Sequence, residues 1–171
     1  MANPTSIFSR KRDLLYLVFF IIHVPVLFCV DLAPLYPAAY KPQFITTLRE
    51  WYITTYADRF FTQPPAWFNM YMYMELIYHV PLSFWAIGAL IRNDPKVPVH
   101  LLVYAVQTAV TTATCIADYL SWSEFQSAQK IELGKLYVPY LALSVFMAVD
   151  MLGRLNEAVG QRQVVRGKKA Q

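Results

Sequence analysis

Hydrophobic residues in this chain come in long runs rather than in stripes. Four apolar stretches stand out: Leu14–Val30, Phe68–Ile91, Val97–Leu120 and Leu136–Gly153. A helix on the surface of a soluble protein would repeat its apolar positions about every 3.6 residues and keep a polar face. These runs are apolar around most of their circumference. Crossing the hydrocarbon core takes about 20 apolar residues, within a range of roughly 17–25. The middle two runs meet that length directly, and the outer two reach it with flanking residues. The pattern predicts an all-α membrane protein, a bundle of four transmembrane helices.

The segment Leu32–Ala66 is patterned differently. Phe44, Leu48, Trp51, Tyr52, Tyr56 and Phe60 recur mostly at spacings of three or four, which predicts an amphipathic helix laid against one end of the bundle. Pro64 and Pro65 are expected to end it and to start the second span, since proline is tolerated in a first helical turn. Pro25, Pro81 and Pro139 fall inside spans instead. Each removes a backbone donor and kinks its helix, opening space between neighbours. The third span carries Gln107, Thr108, Thr111, Thr112 and Thr114, polar groups suited to bonding across helices.

Charge adds an orientation. The cations Arg10, Lys11 and Arg12 precede the first span, Arg92 and Lys96 join the second to the third, and Arg154, Arg162, Arg166, Lys168 and Lys169 follow the fourth. With four spans these regions share one side, and the positive-inside rule makes that side cytosolic. The loops Leu32–Ala66 and Ser121–Lys135, on the luminal side, hold acids and bases in near balance. The expected organisation is a cytosolic N-terminus (1–12), a four-helix membrane domain (13–153) and a basic cytosolic tail (154–171). The net charge of +4 therefore reads as a topology signal with anionic-lipid contact, and no basic face with interleaved aromatics points to nucleic acid. The first run reads as a retained signal-anchor rather than a cleaved signal, lacking a small-residue exit. Cys29 and Cys115 both fall within spans and read as small apolar residues. The ending KKAQ places Lys168 and Lys169 where a dilysine retrieval signal of the endoplasmic reticulum would sit.

Two carboxylates lie at membrane depth. Asp31 closes the first run and Glu75 lies inside the second. An ionisable group there costs at least about 2.5–3.5 kcal/mol, so it marks a functional site by default. On the second helix Glu75 and His79 are four apart, with Tyr71 a turn earlier and Tyr78 one step round. On the first helix His23, Leu27 and Asp31 share a four-residue spacing. Packed side by side, the two helices would enclose a pocket with two acids, two imidazoles and several rings. Close carboxyls in such a pocket would share a proton, leaving one negative charge for a ligand ammonium. Asp58, a lone loop acid, reads as a hydrogen-bonding brace. No metal is expected, because the His and acid spacing fits no tight ligand set and the site lacks thiolates. No cofactor is expected either.

HVPVLFCVDL in the first span, WY-x(5)-D-x(5)-PPAWF through the loop, MEL in the second span and LYVPYL in the fourth resemble the sigma-2 receptor family. That family is part of the expanded emopamil-binding protein (EXPERA) superfamily, and the similarity runs from about Leu14 to Met151. The resemblance implies a four-helix protein of the endoplasmic reticulum that binds sterols and cationic amphiphiles in an intramembrane pocket. It assigns Asp31 to the ligand amine, Glu75 to a neutral partner carboxyl and Asp58 to a structural role in the loop. His23, Thr111, Tyr137 and Tyr140 fall at pocket-lining positions of the family. His79 stands where the vertebrate receptor has Gln, Gln107 where it has His, and Asp118 is an addition, so ligand preference is not carried over.

Two functions fit these residues. One is a binding or regulatory protein for sterols or cationic amphiphiles, acting in lipid handling or membrane-protein biogenesis. The other is an isomerase or cyclase protonating an alkene, for which Glu75, Asp31 and His79 are the candidate catalytic groups. The four-span chain, with no Trp late in the fourth span, favours the first. Membrane lipid and the ligand itself are the expected partners; protein partners and a homodimer are left open.

Overall fold

The computed structural model describes residues 6–169, with the side chains of Ala38 and of residues 162–169 outside the described set. Lys168 and Lys169 thus fall, as side chains, outside the described residues. Helices α1 (Lys11–Val26), α2 (Gln43–Tyr56), α3 (Ala66–Met74), α4 (Val80–Arg92), α5 (Val97–Ser121) and α6 (Ser127–Lys169) account for most of the chain. A π-helical turn, Leu27–Asp31, extends α1, and a second, Glu75–His79, joins α3 to α4. Four segments are long and apolar enough to cross a membrane: Lys11–Asp31, Ala66–Arg92, Val97–Ser121 and Ser127–Gln161. The protein is an all-α, multi-pass membrane protein. The fourth helix starts nine residues before the apolar run that announced it, and continues unbroken past 153 into the segment read as a separate tail.

Helix α5 packs along α6 and α1 along α4, with the α4–α5 contact closing the bundle. Gly134 lets the first pair approach, since a Cβ there would lie 3.3 Å from the Tyr119 hydroxyl. Aliphatic side chains such as Ile21, Ile22, Val103, Val110 and Val149 stay exposed on the outside, where lipid tails take the place of water. Inside, two clusters divide the core. One holds Tyr16, Phe20, Leu90, Leu101, Tyr104, Met147 and Met151 near the N-terminal end of α1. The other holds Phe60, Phe61, Cys115, Tyr119, Trp122 and Leu133 at the opposite end. There Phe60 stacks on Phe68 at 4.9 Å and meets Trp122 edge-on at 5.0 Å, pairs worth about 0.5–1.5 kcal/mol each beyond simple burial.

An ionic clasp closes the N-terminal end. Arg154 bridges Asp13 at 2.6 Å and Asp150 at 2.7 Å, while Asp150 also receives Arg12 at 2.7 Å and the Tyr16 hydroxyl at 2.9 Å. Arg10 pairs with Asp13 and donates to the Leu90 carbonyl at 2.7 Å, capping the end of α4. Every charge buried here has an opposite charge beside it, the condition under which burial of ions is tolerated.

The loop helix differs from its sequence pattern in three ways. Ile45, Leu48, Arg49, Tyr52, Ile53 and Tyr56 form its inner face, whereas Phe44 and Trp51 are exposed. Pro64 and Pro65 do not end it. Ala57 does, with a left-handed φ of 51°, a conformation that costs a non-glycine residue about 1–2 kcal/mol. Phe60 therefore leaves the helix and enters the second core cluster by way of a 3-10 turn, Arg59–Phe61. The left-handed turn drives Asp58 inward, where it is fully buried.

Candidate functional site

Between the two core clusters lies a cavity of about 310 Å³. Asp31 and Glu75 both face it, one from each π turn. Proline explains the second turn. Pro81 has no N–H for the Ile77 carbonyl, and the helix widens so that the Val80 N–H reaches Glu75 O instead. The first turn follows Pro25 by two residues, and there the Leu32 N–H reaches Leu27 O at 2.8 Å.

The widening sets the register of the site. Eight residues of ideal α-helix overshoot two turns by about 80°. A π turn absorbs one extra residue, which takes back about 100°. His23 and Asp31 are thereby brought within about 20° of one another, as are Tyr71 and His79. All four residues line the cavity. Tyr78, read from the sequence as a fifth member of this set, does not. It packs against the first core cluster, with its ring 5.7 Å from that of His79.

Thr111, Tyr137 and Tyr140 complete the predicted set on the wall. Tyr140 places its hydroxyl 3.1 Å from the His23 ring nitrogens, and Phe19 stacks on that imidazole at 5.1 Å. Tyr71 donates to Thr114 at 3.4 Å. Each carboxyl is only half-buried because it opens onto the cavity. Among the described residues neither Asp31 nor Glu75 has a hydrogen-bond donor or a cation as partner. No group of three or more His, Cys, Asp or Glu among the described residues is arranged to hold a metal ion.

Asp58 sits behind the wall. Its carboxylate accepts from the Tyr137 hydroxyl at 2.8 Å, the Tyr52 hydroxyl at 2.9 Å and the Phe60 N–H at 3.0 Å. Burial pushes this carboxyl above the usual range, against the pull of the three bonds it accepts. Burial, followed by the Asp58 charge, also raises Tyr52, which keeps its proton and stays a donor. Arg49, lowered by burial, lies over the Phe61 ring and donates to the Phe61 carbonyl at 2.5 Å.

Several wall residues were not among the predicted ligand contacts: Tyr52 and Phe61 from the loop, Thr108, Thr112 and Cys115 from α5, and Phe68 from α3. The threonines carried a signal, since three polar residues at spacings of three and four share one face of an apolar helix. Tyr52 carried none, because its partner Tyr137 is remote in the chain. Gln107, a departure from the family pattern, does not line the cavity, and Asp118 accepts from the Trp122 indole at 3.1 Å.

The arrangement is a partly open aromatic chamber with two carboxyls that no cation among the described residues neutralises. It can take an apolar body and a positive charge together. Comparison with known proteins agrees with the residues. Residues 44–151 match the model of the EXPERA (EXPanded EBP superfamily) family. Sigma intracellular receptor 2 of Xenopus tropicalis is 26% identical over 157 residues, covering 86% of this chain and 91% of that protein. The human protein of the same name is 24% identical over 148 residues, covering 79% and 84%. Efficient mitochondria targeting-associated protein 19 of Schizosaccharomyces pombe is 31% identical over 154 residues, covering 89% of this chain and 80% of that protein. The chain belongs to the EXPERA family.

Proposed function

We propose that this protein binds sterols or cationic amphiphiles in its intramembrane cavity and serves a regulatory role in lipid handling or membrane-protein biogenesis. The observation that carries the reading is the pair of carboxyls, Asp31 and Glu75, facing an aromatic cavity with no ion-pair partner among the described residues. A half-buried carboxylate at membrane depth favours a counter-charge, and a ligand ammonium supplies it. The rings of Tyr52, Phe68, Tyr71 and Tyr137 on the same wall offer cation–π attraction and apolar contact. The volume suits the small end of the range for drug-sized ligands, about 300–1,000 Å³. Relatives named as an intracellular receptor, and one named for association with mitochondria targeting, support a binding or biogenesis role over a purely structural one.

The proposed location is the endoplasmic reticulum membrane with both termini cytosolic. The cation distribution and the lysines at 168 and 169 support it. Changing both lysines to Ser in a tagged copy should release it from the reticulum. For the binding reading, the decisive experiment is purification in mild detergent followed by mass spectrometry of co-extracted lipids, with displacement by a hydroxyl-free cationic amphiphile. Recovery of a sterol or amine that the amphiphile displaces supports the reading. An empty protein that the amphiphile does not stabilise removes it.

A second reading rests on Glu75 and His79 lining the same aromatic chamber, where a protonated alkene would find an acid and rings to shelter a carbocation. Incubating the purified protein with a panel of unsaturated sterols and analysing for isomerised product decides between the two.

A further inference from the structure

The cavity wall around His79 and Thr108 leads to a second polar feature, distinct from the carboxyls. His79 Nε2, Ser83 Oγ, Tyr104 Oη and Thr108 Oγ1 are buried and have no hydrogen-bond partner among the described residues. The four residues are 2%, 0%, 1% and 2% exposed, so bulk water does not serve them. They converge from two neighbouring helices. His79, the last residue of the second π turn, and Ser83 of α4 are four apart, and Tyr104 and Thr108 are four apart on α5. The Tyr104 ring lies 4.6 Å from that of His79, and its hydroxyl has those of Tyr140, Thr108 and Ser83 within reach, none of them at the distance and angle of a well-formed hydrogen bond. His79 and Thr108 open onto the cavity, while Ser83 and Tyr104 stand behind it.

Unsatisfied buried polar groups are uncommon, about a few per 100 residues in native proteins. Four at one point mark a place where something else supplies the partner. Their chemistry selects it. Three hydroxyls and an imidazole each offer both a donor and an acceptor, according to rotor and tautomer. An ammonium would use only their acceptors and a carboxylate only their donors. A neutral hydroxyl uses both.

We propose that this cluster is a hydroxyl-recognition subsite that binds the alcohol of an amphiphilic ligand. The inference rests on the binding reading above and adds a direction to it. The alcohol lies between α4 and α5, the apolar body runs along the aromatic wall, and any cationic group stays with Asp31 and Glu75.

Two matched pairs test this on the full-length protein in detergent: cholesterol against cholest-5-ene, which lacks the alcohol, and an alkylpiperidine with a terminal hydroxyl against the same amine without it. Wild-type protein should prefer the hydroxylated member of at least one pair by about tenfold, the worth of one well-made buried hydrogen bond. Ser83→Ala combined with Tyr104→Phe should reduce that preference to about twofold, while affinity for the hydroxyl-free amine holds. The empty double variant should melt no lower than wild type, because the substitutions delete unpartnered hydroxyls rather than bonds. Equal affinity within both pairs overturns the subsite and points to a resident water as the occupant. A double variant that melts several degrees lower also overturns it, since the hydroxyls would then already serve the fold. If no compound of either pair binds, the binding reading itself fails; if the amines bind and do not discriminate, only the subsite does.

Discussion

The Tyr137 hydroxyl donates to Asp58 Oδ2 at 2.8 Å, joining residues 79 apart in the chain. Tyr52 donates to the same oxygen at 2.9 Å, so one carboxylate oxygen ties α6 to α2. Both tyrosines line the cavity while Asp58 itself does not. Asp58 is thus a positioning residue, shaping the wall from behind, and the strained Ala57 turn is what aims it inward.

Asp58 makes stability depend on pH in a defined direction. Its folded-state pKa is raised above 3.8, with burial as the largest cause. In that case the folded protein holds a proton that the unfolded chain has already released. Stability therefore falls as pH climbs from about 3.8 through the folded value and is level above it. Thermal unfolding of wild type and Asp58→Asn, compared from about pH 4 to about pH 7, isolates this contribution. A wild-type curve that rises with pH relative to the variant would mean that the three accepted hydrogen bonds outweigh burial.

Asp31→Asn keeps the side-chain volume and removes a charge that faces the cavity. Affinity for a cationic amphiphile should fall at least tenfold, about 1.4 kcal/mol, while a neutral sterol binds almost as before. Competition binding with one ligand of each type reads the difference. Equal losses for both would assign Asp31 to the fold rather than to the ligand charge.

Glu75 separates binding from chemistry. Glu75→Gln keeps a hydrogen-bonding amide of the same shape and should retain most amine affinity, whereas Glu75→Ala should lose about tenfold by leaving polar ligand groups unmet. If the protein is an isomerase, Gln abolishes turnover although binding survives, because an amide delivers no proton. Binding and sterol turnover measured side by side on both variants make the test. A Gln variant as poor as Ala in amine binding would show that the charge of Glu75, not its hydrogen bonding, is what the ligand meets.

Pro81→Ala probes the π turn. Restoring the N–H removes the cause of the widened turn, at a position type where an interior proline costs a helix about 3 kcal/mol. The variant should melt at the same temperature or higher, yet bind ligand about tenfold more weakly as His79 swings away from the register of Tyr71. Unchanged affinity would free the π turn from any part in forming the site.

How much of this was legible beforehand follows from which properties are local. Whether a segment spans a bilayer is a transfer property of that segment alone, summed over some twenty residues. The four spans were accordingly readable from run length, and Asp31 and Glu75 announced themselves as carboxyls inside such runs. The face that each helix presents is not a property of one segment. Counting by fours puts His23 and Asp31 on one stripe and Tyr78 one step round from Glu75 and His79, but an ideal α-helix would carry Asp31 about 80° away from His23; the π turns bring the two into register, and Tyr78 packs against the first core cluster instead. The inner face of α2 likewise excluded Phe44 and Trp51, since which stripe packs inward depends on what the bundle offers it. Tyr52 joined the site through a carboxylate shared with Tyr137, and the unpartnered groups of His79, Ser83, Tyr104 and Thr108 came together only through the approach of α4 to α5. Hydrophobicity acts residue by residue and survives in the sequence; register and cavity shape are pairwise, and the packed chain alone decides them.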